Sequence, residues 1–160
     1  DVDGIARSPA LASFGGETWL TYFAGPEGDV VTLYLQRLAA DGSPLGEAVP
    51  LDGGLVPVSG VRIHASEIGL AIMWTRLGDD SLPPDVAGHH ELELRHFDSD
   101  GTIAAHSLPI TAYFSMTRTV LAPLAEPRGL LTAWSGQDPD TGSFGDNVTF
   151  LAFFACQQRP

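Results

Sequence analysis

Apolar and polar positions in this chain alternate with period two over short runs, and no stretch keeps the 3.6-residue period of a helix. In Val30–Leu38, Leu33 and Leu35 fall on one face, and in Glu91–Phe97 Leu92 and Leu94 do the same, as a pleated strand requires. The pattern predicts four kinds of strand, each recurring along the chain. The first runs over Pro9–Phe14, Val61–Ala65 and Thr119–Leu124; the second over Trp19–Ala24, Leu70–Arg76 and Leu130–Ser135. The third covers Val30–Leu38, Glu91–Phe97 and Val148–Ala155, and the fourth covers Leu45–Leu51 and Ile103–Ile110. Asp41-Gly42 and Asp100-Gly101 join third to fourth strand, and Asp-Gly between alternating runs is a strong hairpin signal.

These pieces form an internal repeat. Leu33-Tyr34-Leu35-Gln36-Arg37-Leu38-Ala39-Ala40-Asp41-Gly42 parallels Leu92-Glu93-Leu94-Arg95-His96-Phe97-Asp98-Ser99-Asp100-Gly101, 59 positions on. Pro50-Leu51 and Pro109-Ile110 are displaced by the same 59. An aromatic landmark in the second strand recurs at Phe23, Trp74 and Trp134, with intervals of 51 and 60. The difference falls in the loop after the aromatic. Four antiparallel strands per unit of this length is the pattern of a β-propeller blade, which must stack on neighbours to bury its faces. The expected fold is all-β, built of four-stranded antiparallel propeller-type blades. One propeller segment spans 1–160, with blade 1 at about 8–52, blade 2 at about 58–111 and a partial blade 3 at about 117–156.

The run Tyr34-Leu35-Gln36-Arg37-Leu38-Ala39-Ala40-Asp41-Gly42-Ser43-Pro44-Leu45 resembles the third-to-fourth strand segment of blade repeats in large secreted or envelope proteins of myxobacteria and similar high-GC bacteria. The resemblance implies a propeller fold and a secreted, envelope or periplasmic setting, and it brings no catalytic residues. Two blades and three strands of a third are too few for a closed ring of four to eight. An open arc exposes edge strands and apolar faces. The expectation is a partner that completes the propeller, either another copy or a companion chain. The start at Asp1 without Met reads as a processed or excised product.

Composition narrows the partners. Eight basic residues, all Arg, stand against 20 acidic ones, for a net charge of −12. That balance argues against nucleic acid and anionic lipid, which want clustered Arg or Lys. No apolar run approaches the ~20 residues of a membrane helix, so no membrane span is expected. The single cysteine, Cys156, excludes an internal disulfide and an all-cysteine zinc site; it reads as an inert thiol or as a bridge to another chain.

Candidate chemistry sits in the loops between second and third strands, which share one face of a propeller. They carry Glu27 and Asp29, then Asp79, Asp80 and Asp85, then Asp138, Asp140 and Asp146. A solvated surface is one reading; a cation site or a patch for a basic partner is the other. Asp138-Pro139-Asp140-Thr141-Gly142, continuing to Asp146, lets alternate carboxylates converge on a hard cation, with calcium the candidate. Gly142 stands where a fifth-position ligand belongs and no closing Glu follows, so a polar turn competes. Asp85 and His89 are a second candidate pair for a loop metal or ligand. His90 and His96 share a strand face but stand roughly 20 Å apart, too far for one ion. His64 and His106 read as structural.

Phe23, Trp74 and Trp134 read as core, stacking blade on blade. Trp19 breaks the repeat and is the one candidate sugar platform. No Gly-x-Ser-x-Gly, phosphate loop or sialidase-type Asp-box occurs, so catalysis is not the favoured reading. The expected function is a non-catalytic binding or assembly module whose acidic loop face takes calcium or a basic partner, with a glycan or a protein as ligand. The alternative is half of a propeller hydrolase, acting on glycans or esters, whose site forms only on assembly. A third reading is a purely structural piece of a large surface protein.

Overall fold

A computed structural model describes residues 5–26, 30–55, 60–66, 69–77, 90–97, 103–105, 110–112, 118–124, 129–137 and 147–155. Every regular element among them is a β-strand, and all pairings are antiparallel. The strands form three sheets in chain order. Sheet 1 is β1 (Ile5–Phe14), β2 (Glu17–Gly25), β3 (Val31–Leu38) and β4 (Val49–Leu55), in that order across the sheet. Sheet 2 is β5 (Arg62–Ser66), β6 (Gly69–Leu77) and β7 (His90–Phe97), with β8 (Ile103–Ala105) and β9 (Ile110–Ala112) both on the outer edge of β7. Sheet 3 is β10 (Arg118–Leu124), β11 (Gly129–Gln137) and β12 (Asn147–Ala155).

Local chemistry explains the hairpins. Gly15 and Gly16 link β1 to β2 with φ of 62° and 78°, the two left-handed positions of a tight hairpin turn, and Phe14 pairs with Glu17 across it. The turn after β3 closes when Gly42 N–H donates to Ala39 O at 2.9 Å and Ala39 N–H donates to Ser43 O at 2.8 Å. Gly42 supplies the left-handed residue, φ 83°, and the Asp41 carboxylate accepts from Ser43 N–H and its hydroxyl. That contact holds the Asp41 carboxyl below its ordinary value.

The fourth strand differs from expectation in both copies where it is described. In sheet 1, Pro44 makes one isolated bridge to Leu38, the chain then leaves the ladder, and β4 resumes at Val49 rather than spanning Leu45–Leu51. In sheet 2, Ile103 pairs with Phe97 and Ile110 with Leu92, and the edge runs on to Ala112; residues 106–109 lie outside the described residues. Proline cannot donate to a ladder, and in sheet 1 both prolines fall at this edge, Pro44 in the isolated bridge and Pro50 inside β4 opposite Tyr34, where a missing donor costs least. β1 also starts earlier than expected, at Ile5, with a bulge between Arg7 and Ala10 and a left-handed Ser8.

The three sheets come closest along their first strands, β1 beside β5 and β5 beside β10. One core lies between sheets 1 and 2. Trp19, Phe23, Val31, Leu33, Leu35, Leu51 and Leu55 meet Val61, Leu70, Ile72, Trp74 and Phe97 there. β2 and β3 are buried on alternate residues, so one face of sheet 1 is covered. β6 is buried without interruption from Gly69 to Thr75, so sheet 2 is covered on both faces. Its second face meets sheet 3, where the buried Thr132 hydroxyl donates to Met73 Sδ at 3.0 Å.

Strand register corrects the aromatic landmark. Tyr22 pairs with Tyr34 and Trp74 pairs with Glu93, and Tyr34 and Glu93 are the repeat-related positions 59 apart. Tyr22 therefore occupies the place of Trp74, and Phe23, opposite Leu33, occupies that of Thr75, opposite Leu92. Phe23 and Trp74 share one core because they enter it from facing sheets, on opposite sides of their own pleats. A one-residue slip moves a side chain to the other face.

Candidate functional site

The face of sheet 1 turned away from sheet 2 is the site the described residues build. Tyr22 on β2 and Tyr34 on β3 are cross-strand partners whose rings stack with centroids 5.6 Å apart and planes 22° apart. They line a groove of about 800 Å³ with Thr32, Gln36, Pro44 and Glu47. Leu20, Tyr22, Thr32 and Tyr34 are half-buried, and among the described residues no strand lies over them.

The loop that walls the groove is tied to its floor. The buried Gln36 amide donates to Arg37 O at 2.8 Å, to Gly46 O at 3.3 Å and to Leu45 O at 3.4 Å. From the core side, Thr21 Oγ1 donates to Tyr34 O at 2.9 Å and fixes the middle of β3. Burial, and secondarily the neighbouring Tyr34, push the Tyr22 phenol above its ordinary value. Two phenols, a hydroxyl and aliphatic carbons make an amphipathic surface, and tyrosine is a residue enriched at protein interfaces.

The equivalent face of sheet 2 shows what such a surface does when covered. There Leu70, Ile72 and Trp74 lie under Leu33, Leu35, Leu51 and Leu55 of sheet 1. The Arg95 guanidinium lies over the Trp74 ring, 5.2 Å from its centroid, and donates to Leu51 O on β4. Arg76 reaches Asp52 of β4 at 3.5 Å and the buried Glu93 at 3.4 Å, tying the two sheets with a shared cation. Glu93 Oε2 and Trp74 Nε1 are buried without a hydrogen-bond partner among the described residues.

The acidic loop candidates Asp138, Asp140 and Asp146, and the pair Asp85 and His89, lie outside the described residues, as do Glu27, Asp29, Asp79, Asp80, His106 and Cys156. Among the described residues no three of His, Cys, Asp and Glu come together to hold a metal. Trp19 is not a free platform. It is 8% exposed, belongs to the core between sheets 1 and 2, and carries the Arg37 guanidinium 5.6 Å from its ring centroid. Half-burial pushes His64 below its ordinary value, in keeping with a structural imidazole. Among the described residues no helix is long and apolar enough to cross a membrane. The tyrosine pair went unnoticed in the sequence because each ring belongs to a different strand, and only the ladder register brings them together.

No family model, no curated protein and no solved structure matches this chain.

Proposed function

We propose that the chain is a non-catalytic assembly and binding module, a segment of a β-propeller-type ring whose sheets act as stacked blades. The observation that carries this reading is the register equivalence of sheets 1 and 2. Bridges at positions 38 and 44 recur at 97 and 103, each 59 on, and the covered face of one sheet corresponds to the open face of the other. Successive first strands lying side by side are what an inner ring of strands requires, and this supports the propeller in particular. Repeat units of this kind bury their faces only against neighbours, so the open face belongs to a larger assembly, formed by another copy or a companion chain. The acidic loops and a secreted or envelope setting enter as part of the same proposal, with calcium or a basic partner as the loop ligand.

Light scattering on the purified chain, with negative-stain imaging of the product, tests the reading. An assembly larger than the 16.9 kDa chain, ring-shaped in projection, is the expected result. A stable monomer at high micromolar concentration overturns it.

A further inference from the structure

We propose that two copies of this chain join head to tail, the outer face of sheet 3 in one copy docking on the Tyr22–Tyr34 face of sheet 1 in the other. This deepens the assembly reading and rests on it. The middle sheet shows what each outer face is built to meet. Its β6 residues Leu70, Ile72 and Trp74 are covered by sheet 1, while Ala71, Met73 and Thr75 are buried on the opposite side, where Thr132 reaches Met73. Strand by strand, Leu20 and Tyr22 stand in sheet 1 where Ile72 and Trp74 stand in sheet 2. They are half-buried instead of covered.

Among the described residues no strand lies over the other end of the stack, which is open in the complementary sense. Thr132 is fully buried toward sheet 2, and its neighbours Leu131 and Ala133, which the pleat places on the far side, are half-buried. Each copy thus offers two different faces, one of the type that covers and one of the type that is covered. A contact between unlike faces is heterologous and repeats until the rotation closes. Three sheets per copy bring two copies to six, inside the four-to-eight range in which such rings close. The substitutions on the open face also fit a reversible contact between subunits. Tyr22 replaces Trp74, Tyr34 replaces Glu93 and Gln36 replaces Arg95, so the face is amphipathic and carries no buried charge to leave unpaired.

The test uses the full chain and its particle mass by light scattering. Wild type is expected at twice 16.9 kDa. Tyr34→Arg on one face and Leu131→Arg on the other are each expected to give the monomer, with far-UV circular dichroism unchanged. An equimolar mixture of the two is expected to regain the doubled mass, because one of the two contacts in the pair then joins two unmutated faces. Tyr22→Arg and Ala133→Arg replace either variant that does not keep its fold. A mixture that stays monomeric, or a Leu131→Arg protein that dimerises like wild type, overturns the head-to-tail arrangement. A doubled mass that survives every variant overturns the choice of faces and leaves the assembly reading standing, whereas a monomeric wild type overturns both.

Discussion

The guanidinium of Arg95 lies over the indole of Trp74 at 5.2 Å and at the same time donates to the Leu51 carbonyl, so one cation clamps sheet 1 to the ring at the centre of sheet 2. Trp74 is 1% exposed, and truncating it opens the core between the sheets. Trp74→Ala is expected to lower the unfolding free energy by about 3–5 kcal/mol. The indole N–H has no hydrogen-bond partner among the described residues, so Trp74→Phe removes an unsatisfied buried donor along with some volume. Its expected cost is under about 1.5 kcal/mol. Urea titrations of the two variants give the ratio; equal losses would show that the ring's volume is not what the site depends on.

Met73 and Thr132 make the corresponding junction between sheets 2 and 3. Met73 is fully buried, and Met73→Ala is expected to cost about 2–5 kcal/mol through the cavity it leaves. A thioether is a weak acceptor, so Thr132→Val, which keeps the shape and drops the hydroxyl, is expected to change stability by less than about 1 kcal/mol. The pair distinguishes packing from hydrogen bonding at this seam. Denaturant midpoints, read with unchanged slopes, are the measurement.

Much of the strand order was legible in the chain because period two and the Asp-Gly turn are local signals. The alternation at Leu33 and Leu35 puts both residues in the core, and Asp41-Gly42 makes the turn it promised. The face of an aromatic was not legible to better than one residue. Phe23 and Trp74 match as aromatics at the end of similar apolar runs, but only pairing with Leu33 and Glu93 shows that they sit on opposite sides of their sheets. Hydrophobicity predicts the fourth strand of sheet 1 over Leu45–Leu51, whereas the chain leaves the ladder after Pro44 and rejoins it at Val49, an excursion that hydrophobicity does not record. The ties from Arg76 to Asp52 and from Arg95 to Leu51 span 24 and 44 residues and depend on sheet stacking, which no local pattern encodes.

The turn after β3 offers a separate measurement of backbone strain. At Gly42 an added Cβ would meet nothing within 4 Å, so a substitution there acts through φ alone. With φ at 83°, Gly42→Ala is expected to cost about 1 kcal/mol or slightly more. Gly42→Asn, which tolerates the left-handed region better, is expected to cost less. Thermal unfolding of the two variants side by side checks the order. Alanine matching glycine would place the turn outside the cooperative unit.

His64 sets the direction of the neutral-to-acid stability profile. It sits half-buried on β5 opposite Ala71, and burial disfavours its charged form, so its folded pKa lies below the ordinary 6.5. As pH falls past that value the unfolded chain takes up a proton that the folded chain still refuses. The folded state therefore loses stability from about pH 6.5 downward, until the folded imidazole also protonates, and the contribution is complete above that window. Asp41 acts in the same sense further into acid, because its folded carboxyl also lies below its ordinary 3.8; its stabilisation is present above that value and lost as pH falls through the folded pKa. The two are separated by where they act. His64→Gln is expected to flatten the part of the urea-midpoint profile that wild type shows just below pH 6.5 while leaving the drop below pH 3.8 in place. Asp41→Asn is expected to do the reverse. A His64→Gln profile parallel to wild type through pH 5–7 would mean that the imidazole titrates alike in the folded and unfolded chains.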